Sequence, residues 1–378
     1  MKKLSKSILA ENIEARLSSD LEMNNISGAS LIVKQAGETV YKNHFGVISP
    51  ESDIAVSDNT IFRLASMTKP ITGVAAMILV DRGLLSLDDN IEKYVPEFSA
   101  PFIIDENGVR VSVKEKITIK NLLTHTAGIG SGPTWINSYK LLTARDKSTV
   151  DDFVRFIATQ PLSYIPGTKS EYSGVATFSI MTYIIEKLTG KDYESFLREE
   201  IFVPCEMKDT TFSPSEEQWQ RVITMHNKTD GISVVGNTVP GCVFGDFLPK
   251  NPLGGAGLVS TLNDYSNFVD MLSNRGVYNG KRIISDEAFT VMSTPQVSPE
   301  IQNGNQRWGI SMRVITKEKY ERLPVGSFGW SGAYGTHFWV DPVNNVSAIY
   351  MKNSQFDGGS GAKTAANFER DVFASFEI

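Results

Sequence analysis

With 378 residues, 41% of them hydrophobic and 21% charged, the chain can bury a large core in two lobes and reads as globular and soluble. A formal net charge of −6 without a Lys/Arg cluster excludes nucleic acid and an anionic membrane surface as partners, which leaves a small molecule. No stretch reaches ~18 consecutive apolar residues, and Ser5, Lys6, Ser7, Glu11 and Asn12 interrupt any signal-peptide core after Met1, so the sequence is read as cytoplasmic.

Leu9, Ile13, Leu17 and Leu21 repeat every four residues, the period of an amphipathic helix. The β-rich runs 29–33 and 39–47, joined through Gly37, predict a hairpin. Pro70 lacks an N–H and fits only near a helix start, so a helix begins close to Ser66 and runs to Arg82, with Gly83 as its stop. Met67, Ile71, Val74 and Ile78 give it one apolar stripe, and Ala75, Leu79 and Val80 make the flank apolar too, so it is expected to be buried on most sides.

Residues 117–126 predict a short helix opened by Thr118. The following Gly128-Ile129-Gly130-Ser131-Gly132-Pro133 is no dinucleotide loop, because Pro133 stands where the last glycine belongs and no strand precedes it. Helical periods dominate 149–157, 178–188 and 193–201. Residues 225–257, rich in Gly, Pro and Asn and carrying Phe244 and Phe247, are too long for an ordinary connection and are expected to wall a pocket, if they are not a surface excursion. Helix returns over 261–272, opened by Asn263-Asp264.

Trp308, Ile310, Met312 and Val314 alternate with Gly309, Ser311 and Arg313, the period of a half-buried strand. Runs 338–340 and 346–350 continue a sheet around a turn at 341–345, and Ala365, Phe368, Val372 and Phe376 mark a last amphipathic helix. Sheet material at both ends with helices between predicts an α+β fold. Residues 1–63 plus 300–378 form a discontinuous antiparallel-sheet lobe flanked by N- and C-terminal helices. Residues 64–299 form an inserted, mainly helical lobe, with the active site at the junction.

Cys205 and Cys242 stand alone, and His44, His125, His226 and His337 show neither H-x-H nor H-x-x-x-H. Buried thiols are expected rather than a disulfide framework, and no metal or cofactor is assigned.

Ser66 and Lys69 lie one helical turn apart, so an amine can sit against a hydroxyl, a nucleophile beside a possible base. The spacing alone recurs by chance, and a serine at a helix start is also a common cap. Ser360 and Lys363 share it, but in a glycine-rich lead that cannot hold a nucleophile to the tolerance catalysis needs. Two further pieces agree with the first pair: Pro166-Gly167-Thr168 leading into Tyr172-Ser173-Gly174, and Gly329-Trp330-Ser331-Gly332-Ala333 at a strand edge.

In this order the three pieces resemble the penicilloyl-serine transferase superfamily of serine β-lactamases, penicillin-binding proteins and related esterases. The stretches 117–128 and 254–261 are similar to it as well, so the resemblance spans about 26–351. It implies a β-lactamase/transpeptidase-like fold with Ser66 as acylated nucleophile, Lys69 as its activating partner and Tyr172 as the hydroxyl that relays the proton. It places oxyanion donors on the backbone N–H of Ser66 and Ala333, and substrate contacts at Trp330, Ser331, Gly332 and Gly174. A glycine at 332 would let substrate approach the strand edge closely, or else mark a β-bulge. His125 is read as a packing residue, since no G-x-S-x-G elbow accompanies it.

The chain departs from the family at two positions. Trp330 replaces the Lys or His that meets a substrate carboxylate, a charge-assisted contact of ~1.5–3 kcal/mol, and Gly174 replaces the Asn that holds an acyl-amide side chain. Both handles for β-lactams are missing, and Trp-x-Gly is similar to the family's carboxylesterases and acyltransferases. The expected function is a serine carboxylesterase acting on small esters. The alternatives are a β-lactamase or D-amino-acid peptidase acting on an amide, and a catalytically silent ligand binder.

Overall fold

Both ends of the chain return to one seven-stranded antiparallel sheet. Its strands are β1 (Gly28–Gln35), β2 (Glu38–Gly46), β3 (Gln306–Trp308), β4 (Arg313–Ile315), β5 (Phe328–Ser331), β6 (His337–Asp341) and β7 (Val346–Met351). They lie in the order β3-β4-β5-β6-β7-β1-β2, so the N-terminal hairpin pairs with the last strand, Ile32 facing Ile349 and Val33 facing Ala348. The computed structural model describes residues 2–130, 149–236, 252–317, 322–359 and 361–377.

The sheet is covered on both faces because its strands alternate two apolar sets. Leu31, Val33, Trp339, Ala348 and Tyr350 meet helices α1 (Lys6–Glu22) and α10 (Lys363–Ala374) through Leu9, Ile13, Leu17, Phe368 and Val372. Phe376 lies past the end of α10 and packs only at the margin of this cluster. Ile32, Phe338, Val340 and Ile349 belong to the larger core on the other face.

That larger core holds α2 (Thr68–Asp81), α3 (Ile119–Leu123), α4 (Val150–Ala158), α5 (Ala176–Thr189) and α6 (Tyr193–Leu197), followed by α8 (Leu262–Ser273) and α9 (Asp286–Ser293). A short surface helix, α7 (Glu216–Trp219), precedes α8. Helix α8 falls in the stretch read as the helical lobe, yet it packs on β1, β6 and β7. Its cap is Thr261, whose hydroxyl accepts from the Asp264 N–H at 3.2 Å. The Asp264 carboxylate, expected to help open the helix, instead accepts from the Asp209 N–H and the Thr210 hydroxyl.

Two expectations change. The alternating run 308–314 is not one strand but the hairpin β3–β4, closed by the Gly309 N–H on the Met312 carbonyl at 2.9 Å. Ser311 turns left-handed at φ 62°, and its N–H reaches the Leu123 carbonyl, so tertiary contacts bend a sequence whose period fits a straight strand. The glycine-rich stretch 225–257 begins as a second hairpin, His226–Thr229 against Ile232–Val235, turned by Asp230-Gly231 with both φ positive. Phe244, Phe247 and Cys242 lie outside the described residues, as do Ser131, Gly132, Pro133 and Ser360. Cys205 is a buried free thiol. Among the described residues no helix is long and apolar enough to cross a membrane, and no cluster of His, Cys, Asp and Glu could hold a metal ion.

Candidate active site

The segment carrying Ser66 is fixed from three directions before α2 begins. Residues Ile61–Arg63 pair with Val259–Thr261, the Leu64 N–H donates to Leu258, and the Asn353 amide brackets the backbone of Arg63 on both sides. Ala65 is then forced left-handed at φ 46°, and a 3₁₀ turn, Ala65–Met67, leads into α2. A buried non-glycine residue in that conformation costs on the order of 1 kcal/mol or more, so the surrounding contacts over-determine it. The Met67 carbonyl accepts from Tyr265 at 2.9 Å, which anchors the turn to α8. Gly83 ends α2 with φ 67°.

Lys69 is 0% exposed, and its Nζ lies 3.2 Å from Ser66 Oγ, 2.6 Å from the Gly174 carbonyl and 2.7 Å from the Gly255 carbonyl. All of these partners are neutral, so burial alone pushes its pKa well below the ordinary lysine value. A neutral amine has two N–H donors and one lone pair. With the donors on the two carbonyls, the lone pair is left to Ser66.

Tyr172 supplies the opposite partner. Its hydroxyl donates to Ser66 Oγ at 2.7 Å, and desolvation pushes the phenol up to about 12, partly opposed by Ser66 and the Trp330 indole. The Trp330 N–H thus stands close enough to favour an ionised Tyr172 without closing a hydrogen bond. A phenol held in its neutral form is a donor toward Ser66, and the Ser66 proton is accordingly directed at Lys69.

An aromatic cluster surrounds this triad. The Tyr172 ring lies 5.4 Å from Trp330, 6.0 Å from Trp308 and 4.6 Å from His125, with Trp308 4.5 Å from Trp330. Trp330 is 7% and Trp308 6% exposed, whereas Tyr172 keeps 41% as a residue, with its hydroxyl turned in on buried Ser66, and gives the site its open side. His125 is buried and held neutral by desolvation. Its Nδ1 accepts the Ser173 N–H at 3.0 Å and its carbonyl takes the Glu171 N–H, so it braces both sides of Tyr172.

The third motif divides between roles. Trp330 faces Tyr172, while the Ser331 hydroxyl, one residue on and across the pleat, bonds His337 at 2.8 Å and is 2% exposed. Ser331 therefore offers a substrate no side-chain surface, contrary to the reading from sequence. Gly332 does permit a close approach, but to the chain itself. A Cβ there would collide with the Leu64 carbonyl and the Thr336 hydroxyl. Ala333 is exposed, and among the described residues neither its N–H nor that of Ser66 has an intramolecular acceptor.

Gly174 contributes its carbonyl to Lys69. Sequence reasoning missed Trp308 and the Gly255 carbonyl as parts of the site. The stretch Gly254-Gly255-Ala256-Gly257 was the available signal for the second: Thr72, one turn after Lys69, holds the Gly254 carbonyl at 2.5 Å, so adjacent turns of α2 grip adjacent carbonyls.

Known proteins resemble this chain over most of its length. The family model described as Beta-lactamase matches residues 12–369. Esterase EstB of Burkholderia gladioli is 27% identical over 385 residues, covering 95% of this chain and 94% of that one. A putative D-alanyl-D-alanine carboxypeptidase of Salmonella agona is 28% identical over 338 residues, covering 85% and 76%. Among solved structures, EstCE1, described as a hydrolase with promiscuous acyltransferase activity, superposes with a TM-score of 0.82 at 22% identity over 97% of this chain and 99% of that one.

Proposed function

The chain belongs to the Beta-lactamase family, and we propose that it is a serine carboxylesterase that cleaves small neutral esters through an acyl-enzyme at Ser66. The observation that carries this reading is the state of Lys69: buried, without a counter-ion among the described residues, both amine donors engaged, and aimed at Ser66. Lys69 takes the Ser66 proton as Oγ attacks the ester carbonyl, and the N–H groups of Ser66 and Ala333 receive the oxyanion. As the ester C–O bond breaks, Tyr172 is placed to protonate the departing alkoxide, a role its raised pKa suits better than that of base. Water then reverses the sequence to release the acid.

The sheet lobe supplies Trp308 and Trp330 and the helical lobe Ser66, Lys69 and Tyr172, which supports one catalytic unit working at their junction. The preference for esters rests on Trp330 and Gly174. An indole presents no charge to a substrate carboxylate, and residue 174 has no amide to hold an acylamino group.

A panel of nitrophenyl esters of rising chain length, beside a chromogenic cephalosporin, tests the proposal. Short-chain ester turnover that vanishes in Ser66→Ala is expected. Fast cephalosporin turnover without ester turnover would reverse the preference, and a wild type that turns over neither and resists a fluorophosphonate would make the chain a silent binder.

A further inference from the structure

Behind the third motif lies a second serine–base arrangement that the proposed chemistry does not use. Ser331 Oγ is 2.8 Å from His337 Nδ1, and His337 Nε2 is 3.0 Å from Glu369 Oε1 on α10. The same carboxylate meets the Arg313 guanidinium of β4 and Arg322 Nε, the latter at 3.2 Å. Facing two guanidinium groups, Glu369 is ionised and accepts the His337 Nε2–H. Nδ1 is then the acceptor, so the Ser331 hydroxyl donates to it.

Taken alone, this is the wiring of a hydrolase triad. Ser331, His337 and Glu369 are 2%, 1% and 2% exposed, however, so no substrate reaches the hydroxyl. Its place in the sheet suggests another duty. Ser331 is the last residue of β5, His337 the first of β6, and the two face each other across the strands. Their side-chain bond closes the base of the loop 332–336. The Gly332 N–H on Thr336 at 2.7 Å spans the loop, and the Thr336 hydroxyl ties it to the Leu64 carbonyl at 2.9 Å, two residues ahead of Ser66. Ala333 is the second residue of that loop.

We infer that Ser331, His337 and Glu369 form a buried positioning relay that anchors the oxyanion donor Ala333 to the C-terminal helix. The inference rests on the acyl-transfer reading above. Because the relay touches no substrate, loosening it displaces a transition-state contact and leaves ground-state binding intact. In Ser331→Ala and His337→Leu, kcat for a nitrophenyl ester should fall about tenfold to a hundredfold with KM within about twofold, the penalty of a slightly misplaced oxyanion donor. A fluorophosphonate should still label Ser66 to full stoichiometry, but more slowly by a similar factor. Leucine at 337 leaves Glu369 its two arginines, so the fold keeps a paired charge. The double variant should be no worse than the poorer single one, and His337→Asn, whose Oδ1 can replace Nδ1 as acceptor for Ser331 but whose amide stops short of Glu369, should recover only part of the rate, because the tie to α10 stays broken.

Variants whose kcat per labelled site equals that of the wild type would overturn the relay, and so would losses that merely track the labelled fraction. A wild type that is not labelled at Ser66 would instead overturn the acyl-transfer reading itself.

Discussion

Lys69 and Lys352 are both sealed from solvent, at 0% and 1% exposure, yet their surroundings give them opposite duties. Among the described residues Lys69 bonds carbonyls and a hydroxyl and lies over the Tyr172 and Phe178 rings at 5.0 and 5.1 Å, with no carboxylate to oppose the desolvation that drives it toward the neutral amine. Lys352 follows β7 and lies 3.1 Å from Asp357, whose charge, with that of Asp20, opposes the same desolvation. Asp357 also accepts the N–H groups of Lys363 and Thr364, so the Lys352–Asp357 ion pair clamps the end of the sheet to the start of α10. A buried lysine becomes a base when its partners are neutral and a strut when one of them is charged.

Substitution should separate the two most sharply in turnover. Lys69→Ala is expected to lower kcat by about 10²–10⁴, and Tyr172→Phe by a similar factor, with the double variant far from the product of the two because both act on one oxygen. Lys352→Met should leave kcat per active site near wild type and lower the unfolding midpoint, since it strands a partly buried carboxylate at about 3 kcal/mol. Active-site titration beside thermal melts checks all three, and the contrast fails if Lys352→Met damages kcat as badly as Lys69→Ala.

A smaller effect concerns what the site accepts. Trp330→Lys with Gly174→Asn would supply the missing contacts to a β-lactam carboxylate and amide, so penicillin kcat/KM should rise, each contact contributing about 1–3 kcal/mol at best, or roughly 5- to 150-fold. Ester turnover should fall at the same time with loss of the indole packed against Tyr172 and Trp308. An ester rate unchanged in Trp330→Lys would remove the main support for the ester preference.

The smallest effect is a slope in stability. Lys69 has a folded-state pKa below its unfolded value, so between the two the unfolded chain binds a proton that the folded chain lacks, and stability rises with pH. The stability of wild type minus that of Lys69→Met should therefore increase with pH, by at most ~1.4 kcal/mol per unit, and level off above the unfolded lysine value near ~10.4. Denaturant midpoints from neutral to alkaline pH measure it. A flat difference would mean that Lys69 is protonated in the folded protein.

The sequence made the Ser66–Lys69 pairing legible because Pro70, the three-residue spacing and an apolar helix constrain one another locally. The terminal helices were legible for the same reason, their periods being intrinsic to the chain. What escaped depends on contacts between distant segments. Trp308 belongs to the site only because Ser311 is pulled left-handed by Leu123, which turns an apparent strand into a hairpin. The Gly255 acceptor is a backbone group that no side-chain pattern reports. Ser331 is the exception, since strand alternation alone sets it on the face opposite Trp330.

The central claim, an acyl-enzyme at Ser66 formed by a lysine base, is tested most directly by acid-quenching the protein during turnover of a nitrophenyl ester and mapping the acyl mass by peptide mass spectrometry. The account predicts one acyl group on the peptide containing Ser66 and Lys69, localised to Ser66 and absent from Ser66→Ala. An acyl group on any other residue, or ester turnover that survives in Ser66→Ala, would contradict it.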